Sequence, residues 1–97
     1  MYGLIGKMLA AEGKRELLLE LLLENAAQMP GCLSYIIAKD PSDSKAIWIT
    51  EVWDSKDSHQ KSLSLVSVQN TIAKARPFIE GFGERYETEP VGGHGLV

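Results

Sequence analysis

The chain has 97 residues, 44% hydrophobic and 24% charged, with a net charge of −3. That is the composition of one small soluble domain, not of a disordered, fibrous or membrane-embedded chain. No basic block or stripe is present, which argues against a nucleic-acid partner, and Cys32 stands alone, which excludes an intramolecular disulfide.

In chain order, residues 2–8, "YGLIGKM", alternate well enough to be a first strand. Met1 runs straight into it without the charged and apolar segments of a signal peptide, so the cytoplasm is the expected location. Residues 14–29 form a long helix. Leu18, Leu22, Ala26 and Met29 make one stripe, and four further leucines widen it, which predicts a largely buried helix. Glu16, Glu20 and Glu24 on the remaining side keep this run out of a membrane. Pro30-Gly31 stops it.

Residues 32–40, "CLSYIIAKD", are a second strand, in which Cys32 reads as a small buried residue. Residues 46–53, "AIWITEVW", are a third strand, and the turn-formers between them make a hairpin. A short helix follows over residues 55–63, with Asp54 as its cap and Asp57 completing a weak capping box. A second helical stretch covers 68–78, and a weaker fourth strand 81–89. Residues 1–90 are expected to be a single domain and 91–97 a flexible tail that leaves His94 in solvent.

The order β-α-β-β-α-β is the split βαβ, or ferredoxin-like, α+β arrangement, with a four-stranded antiparallel sheet and both helices on one face. In the third strand Ile47, Ile49, Glu51 and Trp53 point one way, and Ala46, Trp48, Thr50 and Val52 the other. Both sets are mostly apolar, so both faces call for burial. The helices cover one, and the other predicts a homodimer packed sheet to sheet.

Few groups are placed for chemistry. No metal-ligand spacing, glycine-rich phosphate loop or nucleophile elbow occurs. What remains is "TEVWDSKDSHQ", residues 50–60. His59 falls near a helix start, where an unprotonated imidazole can accept a proton; the plainer reading is a half-exposed helix histidine. Glu51 is an acid on an apolar strand face and needs a partner there. Trp53 is either core or a substrate wall. Tyr35 and Asn25 are the other polar groups within reach of a cavity. Arg76 either neutralises an anion or pairs with a surface acid.

The run "MPGCLSYIIAKDPSDSKAIWITEVWDSKDSHQKSL" and the later "ARPFI" resemble the antibiotic biosynthesis monooxygenase (ABM) family, nearest its small bacterial quinol monooxygenases. The resemblance extends over about residues 2–86. It rests on Pro30-Gly31 before the second strand, Glu51-x-Trp53 at the end of the third, and His59 after it. It implies a dimeric α/β barrel of two ferredoxin-like protomers, each with a small apolar pocket between sheet and helices. It also implies oxygenation of a small aromatic substrate with O2 and no metal, flavin or haem. On that resemblance His59 is the base or hydrogen-bond partner of a phenolic hydroxyl, Trp53 walls the pocket, and Glu51 either orients His59 or holds the strand end. The haem-degrading relatives carry an asparagine in strand one that this chain lacks.

Two other functions fit the same layout. One is an isomerase or degrading enzyme for a small signal molecule; a phosphorylated ligand would want several basic groups around the pocket, and the scatter of Lys39, Lys45, Lys56 and Arg76 weakens this reading without excluding it. The other is a non-catalytic dimeric binding or stress-response module, marked by a His59 turned to solvent and no cavity beside Trp53.

Overall fold

The first strand, β1 (Tyr2–Ala10), forms the spine of the sheet. It pairs antiparallel with β3 (Ala46–Trp53) on one side and β4 (Ile79–Thr88) on the other. Strand β2 (Cys32–Lys39) pairs with β3, giving the order β2-β3-β1-β4. The helices are α1 (Arg15–Glu24), α2 (Lys56–Ser62) and α3 (Val66–Ala75), and α3 tightens into a 3-10 turn over Arg76–Phe78. This is the expected ferredoxin-like arrangement, its second helical region in two pieces. The computed structural model describes residues 1–24 and 29–96.

Element ends differ from expectation for identifiable reasons. Strand β1 runs two residues further than its apolar pattern, because Ala10 still bonds through its amide to Lys45 O, at 2.8 Å. Helix α1 is described to Glu24; residues 25–28 of the longer expected helix lie outside the described residues, and Met29 is not helical. The α-helical part of the last helix ends at Ala75; Arg76 keeps helical dihedrals (φ −50°, ψ −44°), but Pro77 has no N–H to continue the ladder, and the chain tightens into the 3-10 turn. Strand β4 is not weak. It has ten residues despite two glycines, because β1 offers it a free edge. Its register slips twice, between the Gly6–Arg85 and Met8–Phe82 pairs and again between the Leu9–Gly81 and Ala10–Ile79 pairs, so β4 carries an extra residue at each place.

The core lies between the sheet and the helices: Ala10, Leu18, Leu19, Ile47, Ile49 and Ala75 form one buried cluster. Helix α1 is less buried than its leucine count suggested. Only Leu18 and Leu19 are buried, while Leu17 and Leu23 are 44% and 60% exposed. A single sheet face can cover only one side of a ten-residue helix. Arg15 ties α1 to the β2–β3 hairpin, donating to Asp43 O at 2.9 Å.

Strand β3 alternates as read. Ile47, Ile49 and Trp53 are buried toward the helices, with Glu51 in the same row. On the opposite face no described helix covers Trp48, Thr50 and Val52, and Ile36 and Tyr86 are more than half exposed. Trp48 spans this face by donating Nε1–H to Asp40 Oδ2 at 2.9 Å, with Lys7 Nζ 5.7 Å from its ring centroid. Among the described residues no helix is long and apolar enough to cross a membrane.

Candidate functional site

Strand pairing alone builds the first half of the site. Register sets Glu51 opposite Leu4 on one side and Tyr35 on the other, and sets Trp53 opposite Tyr2. Directly opposed residues share a face, so Leu4, Tyr35, Glu51, Trp53 and Tyr2 all point toward the helices.

The second half comes from α2, and a glycine fixes where α2 begins. Gly31 has φ +84°, and its carbonyl accepts from Asp54 N at 2.9 Å. A Cβ on Gly31 would lie 2.7 Å from the Ser58 side chain and 2.8 Å from Asp54 Oδ1. Strand β2 and the first turn of α2 can approach this closely only because residue 31 has no side chain. The cap is Ser55, not Asp54: Ser55 Oγ accepts from Ser58 N at 3.1 Å. Asp57 is no capping-box partner either; it pairs with Lys61 at 3.0 Å on the helix surface. Adjacent Asp and Ser are both good caps, and contact with Gly31 leaves the role to Ser55.

His59 is the fourth residue of α2, whose first residue, Lys56, follows the Ser55 cap three positions beyond Trp53. Its imidazole turns inward: Nε2 lies 3.9 Å from Glu51 Oε1, and the two side chains are 14% and 16% exposed. The same Glu51 oxygen accepts the Trp53 indole N–H at 3.0 Å. The ring centroid of His59 is 5.4 Å from Trp53, edge to face, and 5.7 Å from Tyr2. Ser62, a buried polar residue one turn on, donates Oγ–H to His59 O at 2.6 Å.

These groups line a cavity of about 180 Å³ between sheet and helices. Met8, Leu22, Ile49, Val68 and Ile72 supply its apolar walls; Tyr35, Glu51, Trp53, His59, Ser62 and Thr71 supply the polar atoms. Burial, reinforced by the Glu51 charge and then by Cys32, pushes the Tyr35 phenol well above its ordinary range. Tyr35 is therefore a neutral hydroxyl, fit to donate a hydrogen bond. Glu51 also borders a second cavity of about 250 Å³ that opens over Gly6 toward Phe82 and Arg85 of β4. A Cβ on Gly6 would meet nothing within 4 Å, so the glycine leaves that floor bare.

Tyr35, Glu51, Trp53 and His59 thus converge, whereas Asn25 lies outside the described residues. His59 does not turn to solvent, and a cavity does lie beside Trp53. Arg76 is exposed before β4 and has no ion pair among the described residues, contrary to the surface pairing considered for it. Cys32 is half-buried rather than buried, with its thiol pushed up by burial and then by the Glu51 charge. The sequence reading missed Tyr2, Ser62 and Met8. For Tyr2 and Met8 a signal existed: antiparallel pairing of strands one and three puts Tyr2, Leu4, Gly6 and Met8 on the pocket face. Among the described residues no three His, Cys, Asp or Glu side chains are grouped to hold a metal ion.

The family model described as antibiotic biosynthesis monooxygenase matches residues 1–74. A crystal structure from Chloroflexus aurantiacus J-10-fl, provisionally named an antibiotic biosynthesis monooxygenase, is 60% identical, with a TM-score of 0.94. That match covers 99% of this chain and 98% of the other. A Deinococcus radiodurans protein with the same provisional name is 25% identical over 96% of this chain and 95% of its own, with a TM-score of 0.80. A third, from Nitrosomonas europaea, is 14% identical over 90% and 85% of the two chains; its TM-score of 0.78 shows the shared fold. No curated protein matches the chain.

Proposed function

Because the chain belongs to the antibiotic biosynthesis monooxygenase family, we propose that it oxidises a quinol or other electron-rich phenol with O2. The observation that carries this reading is the placement of His59 and Glu51 together, 3.9 Å apart, at the wall of a mostly apolar cavity.

The chemistry asked of the protein is modest. His59 takes the proton of the phenolic hydroxyl, and Glu51 steadies the resulting imidazolium. Tyr35 donates a hydrogen bond to a substrate oxygen. The phenolate then gives one electron to O2, and the radical pair recombines at a ring carbon as a hydroperoxide. Loss of water leaves a carbonyl: one oxygen atom stays on the ring, the other departs as water, and the substrate supplies all the electrons. No bound cofactor is called on, since the substrate's own anion is the reductant. Trp53 and the aliphatic side chains keep water from the intermediates.

Among the described residues the pocket is lined by no lysine or arginine. Lys39, Lys45 and Lys56 are paired instead with Glu16, Glu80 and Glu87. That favours an uncharged aromatic substrate over a phosphorylated signal molecule. On the same reading two copies meet through the sheet face that carries Ile36, Trp48 and Tyr86, closing a dimeric barrel whose helices lie outside.

An oxygen electrode with a panel of hydroquinones and naphthols tests the reaction. Stoichiometric uptake with incorporation of one labelled oxygen atom from ¹⁸O2 is expected. Uptake no faster than the uncatalysed rate with every substrate would reject it.

A further inference from the structure

We propose that Tyr2 is a positioning residue that clamps the His59 imidazole against Trp53, and that Glu87, near the end of the chain, fixes Tyr2 for this task. The proposal rests on the reading of His59 as the working base.

A histidine on a helix has its Cα fixed, but its ring still turns about two side-chain torsions. Something else must decide where Nε2 points. Tyr2 and Trp53 are direct cross-strand partners, so their rings stand side by side at the end of the β1–β3 ladder. The imidazole descends from α2 between them, 5.7 Å from the Tyr2 ring at 41° and 5.4 Å from the Trp53 ring at 71°. Both lie within the range of attractive tilted and edge-to-face contacts. In that slot Nε2 faces Glu51.

Tyr2 is itself held. Its hydroxyl donates to Glu87 Oε2 at 2.6 Å, a bond joining residues 85 apart in sequence. Lys56, the first residue of α2, reaches the same oxygen at 3.5 Å and lies 5.8 Å from the Tyr2 ring centroid. The helix that carries His59 is therefore tied to the start of β1 and the end of β4 at one point. Burial and then the Glu87 bond raise the Tyr2 phenol, while the Tyr2 bond first and Lys56 next lower Glu87. At neutral pH the contact is thus a phenol donating to a carboxylate, the stronger kind of hydrogen bond. Glu87 lies beyond residues 1–74, which match the family model, so this clamp involves a part of the chain outside the match.

Nuclear magnetic resonance of the full chain tests the clamp without reference to turnover, so it fails separately from the enzymatic reading. The chain has two histidines, and His94, exposed in the glycine-rich tail, serves as an internal standard for an unconstrained imidazole. Cross-relaxation between His59 ring protons and the Trp53 indole is strong in the wild type if the slot is occupied. In Tyr2→Leu most of that intensity is expected to vanish, with His59 line widths moving toward those of His94. Tyr2→Phe, which keeps the ring, is expected to restore most of it. Glu87→Ala, a surface change, is expected to weaken it partially. Undiminished His59–Trp53 contacts in Tyr2→Leu would overturn the proposal. If that variant does not fold, undiminished contacts in Glu87→Ala would do the same.

Discussion

Glu51 and Trp53 are two residues apart on one strand face, and the indole N–H of Trp53 donates to Glu51 Oε1 at 3.0 Å. A carboxylate so anchored, with His59 Nε2 3.9 Å from the same oxygen, keeps one orientation. It is placed to hold a neighbour rather than to swing between partners.

Replacing His59 removes the proposed base. His59→Ala is expected to lower the rate of oxygen uptake about 10²- to 10⁴-fold, the usual contribution of a positioned acid–base group. Circular dichroism should show an unchanged fold, since the ring is not part of the main core cluster. Uptake at the wild-type rate would remove His59 from the chemistry.

Glu51 allows charge and hydrogen bonding to be separated. Glu51→Gln keeps an acceptor for Trp53 Nε1 but loses the charge beside His59. Its stability in urea should change little, while turnover falls roughly tenfold, which corresponds to about 1.4 kcal/mol of lost transition-state stabilisation. Glu51→Leu also orphans the buried indole N–H and should cost about 1–3 kcal/mol of stability. Equal turnover in the Glu51→Gln variant and the wild type would leave Glu51 with a structural role only.

The close approach at Gly31 predicts a backbone effect. Gly31→Ala must place a side chain at φ +84° and against Ser58 and Asp54. The left-handed conformation alone costs about 1–2 kcal/mol. A loss of at least that size is expected in a denaturant titration, with a larger fractional loss of activity because α2 is displaced. A neutral result would mean that the hairpin and α2 are not in register through this residue.

Tyr35 predicts a dependence on pH. Its pKa is raised in the folded chain above the ordinary tyrosine value. A raised pKa adds stability that is fully present below the unfolded value and lost as pH climbs toward the folded one. From about pH 10 upward the unfolded chain therefore sheds this proton first, and stability falls by up to about 1.4 kcal/mol per pH unit from this group. Tyr2 and Cys32, also raised, add to the same slope. Urea midpoints measured from pH 8 to 11 should decline, and more shallowly in Tyr35→Phe. An identical slope in that variant would show that Tyr35 is not the buried phenol described above.

The uncovered sheet face predicts assembly. Wild-type protein is expected to sediment as a dimer at micromolar concentration, and Ile36→Lys, which sets a charge on the edge strand of the open face, as a monomer. Ile36 is 56% exposed, so the change should leave the protomer folded. A stable wild-type monomer would sink the barrel.

The sheet was legible because its strands carry their own pattern. The two-residue alternation of Ala46–Trp53 placed Glu51 and Trp53 on one face before any partner strand was known. The stop at Pro30-Gly31 was legible too, since proline and glycine act locally. What escaped depended on distant residues. Between Asp54 and Ser55 nothing local chooses the cap; contact with Gly31 does. Strand β4 looked weak on its own composition and is long because β1 has a vacant edge. Tyr2 looked like the start of a strand, and its bond to Glu87 spans nearly the whole chain. The pocket face could be read from pairing and alternation; the restraints on one imidazole could not.

Strand β3 carries both tryptophans of the chain on opposite faces. Trp53 is 1% exposed and looks into the pocket; Trp48 lies on the open face with its indole bonded to Asp40. The protein therefore has two built-in fluorophores with separate fields of view. With Trp48 replaced by phenylalanine, the remaining emission reports on the cavity beside Glu51 when a trial ligand is added. With Trp53 replaced instead, it reports whether the proposed second chain covers the sheet. One strand so labelled lets ligand occupancy and subunit association be followed as two independent signals, and shows which of the two events comes first.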